Sequence, residues 1–133
     1  MKEKYEIQKN ENLQSIILIK SGNFYATIND DSFIMKKLFN YQIIKGKVGF
    51  PLNAIDKVKS RLNDLRVNYL IYNSEDDIDK QVFDDNTYNA ILNEYKKQEY
   101  KDNMKKLLFD RIEYLINDNS DNYDKIRKFV DEL

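Results

Sequence analysis

Phe24 and Tyr25 leave a short Ser21-Gly22-Asn23 turn as an aromatic pair. An apolar ring carried on such a turn has the shape to enter a minor-groove step, where stacking and added contact with bent DNA offset the loss of base stacking. The competing reading places Phe24 inward with Ala26 and Ile28, which share its face in a strand. Tyr25 is a candidate for stacking on a sugar or base, and Asn23 for a polar contact at the same turn. Lys36, Lys37, Lys45, Lys47, Lys57 and Arg61 form a basic set suited to following phosphates, each neutralised phosphate adding a salt-dependent increment of affinity. A solvated helix face explains the same residues without DNA.

Two acidic groups invite a metal reading. Glu75, Asp76, Asp77 and Asp79 have the ligand type for Mg²⁺, but a nuclease needs spaced carboxylates and a Lys converging on one phosphate. That spacing is absent, and a solvated loop is expected. Asp118, Ser120, Asn122 and Asp124 imitate the start of a calcium loop. Tyr123 occupies the position of its obligatory Gly and Phe129 that of its bidentate Glu, which excludes the site. No metal, cofactor or catalytic residue is expected, and the chain is not read as an enzyme.

The missing residue types point the same way. Without Cys or His, disulfides, thiolate or imidazole zinc sites, Cys nucleophiles and the common near-neutral general base are removed. The net charge of −1 conceals a segregation. Residues 34–66 hold eight basic and two acidic groups (+6), residues 67–133 ten basic and sixteen acidic (−6). A local positive field able to meet a polyanion is compatible with that distribution.

The elements that must position these residues follow from hydrophobic period. Ser15 to Ile19 is a short β-branched run and Phe24 to Ile28 its alternating partner, joined by a turn in which Gly22 and Asn23 tolerate positive φ. Asn29 to Ser32 offers N-cap candidates for a helix to about Phe39. Gln42-Ile43-Ile44 and Val48-Gly49-Phe50 read as short extended pieces. Pro51 and Asn53 open a helix whose stripe is Ala54, Ile55, Val58, Leu62 and Leu65. Val67 to Tyr72 reads as a strand and Ser74 to Asp79 as a polar connector. From Thr87 the period is helical, interrupted between Lys96 and Asn103 by a boundary or by a solvent-bridging turn of one long helix. Asn117 to Ser120 breaks it before a last helix with Tyr123, Ile126, Phe129, Val130 and Leu133.

Gly22-Asn23-Phe24-Tyr25-Ala26 followed by Gly49-Phe50-Pro51 resembles the N-terminal mismatch-recognition domain of the MutS proteins. The resemblance covers about Leu13 to Tyr72, and its order of hairpin, helix, short strand, Gly-x-Pro turn, helix and strand is that family's. It implies that Phe24 is the minor-groove wedge. The family's base-contacting Glu is replaced by Ala26, so little mismatch preference is expected. Full MutS proteins also carry a clamp and an ATPase with a phosphate-binding loop, and this chain has no Gly-x-x-x-x-Gly-Lys-Ser/Thr run.

The expected fold class is α/β: a small mixed β-sheet with packed helices, MutS domain I-like over residues 1–73, plus an acidic helical C-terminal extension over 74–133. The expected function is non-catalytic nucleic-acid binding, related to DNA repair or mobile elements, with double-stranded DNA as partner. The alternative is a protein-interaction adaptor that kept the fold and docks a partner protein through its C-terminal helices. No apolar run approaches the ~20 residues of a bilayer span, and the start Met1 to Glu6 is too polar for a secretory signal. A cytoplasmic protein without membrane contact is expected.

Overall fold

The computed structural model describes residues 1–133. Its elements run α1 (Lys2–Glu11), β1 (Ile16–Ser21), β2 (Phe24–Ile28), α2 (Asn29–Phe39), β3 (Lys47–Pro51), α3 (Ile55–Leu65), β4 (Tyr69–Ser74), β5 (Asp77–Gln81), α4 (Thr87–Asp118) and α5 (Asp121–Asp131), with one 3-10 turn at Leu52–Ala54 before α3. This is a mixed α/β fold. The five strands lie in the order β3-β2-β1-β4-β5. Only the central β1–β4 pair is parallel, and the remaining pairs are antiparallel.

Both faces of the central strands are apolar, so each must be covered. Ile16 and Leu18 on β1, Tyr25 on β2, Val48 and Phe50 on β3 and Tyr69 and Ile71 on β4 meet Ile34 and Met35 of α2, Val58 and Leu62 of α3 and Tyr88 and Leu92 of α4. The opposite face joins Ile17, Ile19, Leu70 and Tyr72 to Tyr5 of α1. The continuous burial of Ile16 to Ile19 explains why β1 has no alternation.

Two turns set the register. Ser21 pairs with Phe24 across Gly22-Asn23, and of those two residues only Gly22 takes positive φ, at 61°. Lys45 (φ 53°) and Gly46 (φ 75°) connect Ile44 to Lys47, whose backbones exchange hydrogen bonds of 2.9 and 3.1 Å. Positive φ at both central positions matches the twist of a type I′ hairpin turn.

The structure corrects several expectations. Residues 77–81 are the edge strand β5 rather than part of a connector, with Glu75 and Asp76 left as the β4–β5 turn. α1 has no counterpart in the sequence reading, because Tyr5 is its one fully buried side chain and no apolar stripe announces it. α2 begins at Asn29 without a side-chain cap, and Asp31 and Ser32 are buried in its first turn instead of capping it. Of the two readings of the Lys96–Asn103 interruption, the structure bears out the solvent-bridging turn, which is the exposed middle of one 32-residue helix. Compact units comprise Met1–Tyr95 and Lys96–Leu133, so β5 and the first turns of α4 belong with the sheet.

Candidate nucleic-acid interface

Strand alternation separates the two aromatic candidates. Tyr25 points to the α2–α3 side, is 6% exposed and packs against Phe50 at a ring-centroid distance of 5.8 Å. Its hydroxyl donates to Asn73 Oδ1. Burial, followed by the carboxylates of Asp77 and Asp56, raises the pKa of that phenol above its ordinary value. Tyr25 is therefore a core residue and does not present its ring to DNA as a stacking platform. Phe24 lies on the opposite, α1 side of the sheet and is 52% exposed. Inward packing with Ala26 and Ile28 is incomplete because Phe24 stands at the strand end, where no helix covers it. Asn23 is exposed beside it, and its carbonyl accepts a hydrogen bond from Leu52 N at 3.2 Å.

The surroundings of Phe24 oppose phosphate binding. β1 and β4 are neighbours and parallel, so the β1–β2 turn and the β4–β5 turn emerge at the same end of the sheet. Glu75, Asp76 and Asp77 thus border the end that carries Phe24. Lys47 shares the sheet face of Phe24 but pairs with Ile28 at the far end of β2, and Lys45 lies in the turn beyond it. Four residues of strand, roughly 13 Å, separate Phe24 from that level. Phe24 and the basic residues do not form one continuous surface.

A different grouping appears between α2 and α3. Lys37, Phe39 and Asn40 at the end of α2 face Lys57, Ser60, Arg61 and Asp64 of α3 around a groove of about 570 Å³. That size falls within the range of small-ligand sites. Both helices pack by their apolar stripes on the same sheet face, which turns the intervening residues outward. Phe39 stacks on Tyr41 at 5.5 Å and Tyr41 on Phe50 at 5.5 Å, a column that holds one wall of the groove to the core. Lys36 is exposed on α2 outside the groove lining.

The acidic second half of the chain partly neutralises the basic middle. Lys59 pairs with Asp79 of β5, Arg66 with Asp85, and Lys37 stands 4.0 Å from Glu94 of α4. The Asp79 hydrogen bond leads the causes that raise the pKa of Lys59. Lys57 and Arg61 are in no ion pair. Lys36, Lys45 and Lys47 are likewise in no ion pair but lie outside the groove, so the unpaired cations within it are Lys57 and Arg61, beside the carboxylate of Asp64.

The most elaborate polar cluster is one that sequence reasoning missed. Asp31 is fully buried, and its Oδ2 accepts from Tyr5 OH at 2.7 Å and Ile17 N at 3.1 Å. Its Oδ1 accepts from Lys9 Nζ at 2.7 Å and from the Tyr88 hydroxyl. Lys9 Nζ also reaches Ser15 O at 2.7 Å and lies 4.5 Å from the centre of the Tyr88 ring. Burial, then the Asp31 charge, pushes both phenols well above their ordinary pKa. With its acceptor atoms engaged by α1, β1 and α4, the carboxylate has the form of a structural tie. In the sequence Asp31 stands between Asp30 and Ser32 in a polar run that reads as a set of N-cap candidates, and nothing there marks it as buried.

Among the described residues no cluster of three or more Asp or Glu is arranged to hold a metal ion, and the acidic residues near 75–79 do not converge. No helix is long and apolar enough to cross a membrane. The chain matches no family model and no curated protein.

Proposed function

We propose that this chain is a non-catalytic nucleic-acid-binding module that holds a phosphate backbone in the groove between α2 and α3. The observation that carries this reading is the convergence of Lys37, Lys57 and Arg61 on one groove, two of them in no ion pair. Backbone contacts of this kind provide affinity without sequence information. The succession β1, β2, α2, β3, α3, β4 is the order on which the resemblance to the MutS recognition domain rests. Phe24 takes no part in this groove, since it lies on the other face of the sheet. Ala26, in the position of that family's carboxylate, is buried.

A fluorescence anisotropy titration of labelled duplexes across a salt series tests the reading. The affinity should fall steeply with salt. Lys57→Ala and Arg61→Ala should each weaken binding and reduce the salt slope by about 1. Phe24→Ala should leave that slope unchanged. A matched duplex and a G·T mismatch should bind within about tenfold of each other, because a buried methyl offers a base edge neither donor nor acceptor. Absence of binding at low ionic strength removes the DNA reading. The adaptor reading then takes its place, favoured by the exposed apolar side chains of residues 96–133.

A further inference from the structure

The Lys96–Leu133 unit consists of the distal part of α4 and all of α5. A helical pair buries its apolar surface only if its faces meet, and here much of that surface remains open. Ile112, Leu115 and Ile116 of α4 and Ile126 of α5 are half-buried. Tyr100, Met104, Leu107 and Tyr114 are exposed, Leu107 at 60%. Their spacings of four, three and seven residues are the alternation of a heptad seam. Arg111 completes the seam between Leu107 and Tyr114, with its guanidinium 5.6 Å from the centre of the Tyr114 ring. A long side chain of this type covers apolar surface with its stem while its charged head reaches water.

The same spacing extended one step each way ends on Lys97 at the N-terminal side and Asp118 at the C-terminal side. The seam is thus about 30 Å long, positive at one end and negative at the other. Its neighbourhood repeats the pattern. Residues 96–106 hold five basic and two acidic groups, and residues 113–124 hold four acidic and no basic groups.

We propose that this seam binds a second copy of itself in antiparallel orientation, making the chain a homodimer. Residues 97 and 118 are equidistant from the seam centre at Leu107-Leu108, so a two-fold axis there sets Lys97 of each copy against Asp118 of the other. A parallel arrangement places like charges together at both ends. α5 adds a second open face through Tyr123, Phe129, Val130 and Leu133, each more than half exposed. The four seam side chains at roughly 100 Å² apiece, about half of what a large aromatic can bury, bring on the order of 400 Å² per copy, about half the area per partner of a standard stable interface. The inference stands apart from nucleic-acid binding, since it uses none of the α2–α3 groove.

Sedimentation velocity of the full chain over a concentration series is the test. A dimer is expected at micromolar concentration, and Leu107→Asp should abolish it while leaving the circular dichroism spectrum unchanged, because that side chain is exposed. Lys97→Glu alone and Asp118→Lys alone should each weaken the dimer at least ~tenfold, since either change creates like-charge contacts at both ends. Mixed in equal amounts, the two variants should associate again as a heterodimer with opposite charges at both junctions. A chain that stays monomeric to about 200 µM, or one whose association is insensitive to Leu107→Asp, overturns the proposal and leaves the seam to a different protein or a lipid surface. Single charge variants that dimerise like the original chain overturn the antiparallel arrangement.

Discussion

At the scale of the residue, adjacent aromatics have unrelated work. Tyr25 fills the core and Phe24 does not, so Tyr25→Ala should cost about 3–5 kcal/mol of stability and Phe24→Ala less than ~1 kcal/mol. Urea denaturation of the two variants makes the comparison, and equal losses would refute the assignment of faces. Asp31 gives a second prediction. The folded state holds Tyr5 and Tyr88 protonated with pKa values raised above their ordinary 10.0. The stability this contributes is fully present below about pH 10 and is lost as pH rises beyond it, because the unfolded phenols ionise first. Alkaline pH should therefore unfold the protein steeply. The Tyr5→Phe/Tyr88→Phe double variant should be weaker at pH 8 by about 1.5–3 kcal/mol per lost bond to the carboxylate. Its urea midpoint should then change less between pH 8 and pH 11 than that of the original chain.

Among the elements, β3 is positioned by a turn whose first residue is a poor choice for its conformation. Lys45 sits at φ 53°, where Asn is tolerated better than residues with longer side chains. Lys45→Asn should raise the urea midpoint by the equivalent of roughly 0.5–1 kcal/mol, and Gly46→Ala should lower it by about 1 kcal/mol. The opposite signs would show that the turn is not type I′ in solution. α3 illustrates the easier case. Its stripe from Ile55 to Leu65 was legible because burial of Val58 and Leu62 follows helical period. β5 was illegible because an edge strand rich in charge has little apolar pattern, and charge is what discourages such an edge from pairing with another chain.

For the whole molecule, the boundary between sheet and extension falls later than the change in sequence character suggests. Tyr88 and Leu92 complete the core and β5 completes the sheet, although β5 contains part of the acidic run at 75–79 and the two side chains follow it. A fragment of residues 1–95 should unfold cooperatively in urea. One of residues 1–73 should not, having lost an edge strand, a donor to Asp31 and two core side chains. Cooperative unfolding of the shorter fragment would restore the earlier boundary.

What the sequence by itself determined was local. The β1–β2 hairpin, the α3 stripe, the break at Asn117–Ser120 and the exclusion of thiol and imidazole chemistry all rest on neighbours within a few turns or on composition. Tertiary structure alone decided where charge resides. Asp79 reaches Lys59 and Asp85 reaches Arg66 through contacts spanning about twenty residues, and the Glu75-Asp76 turn emerges at the same end of the sheet as Phe24. α1 and the Asp31 cluster were hidden for the same reason. A helix held by one buried phenol has no period to read, and a carboxylate receives Tyr5, Lys9 and Tyr88 only once three separate elements have packed around it.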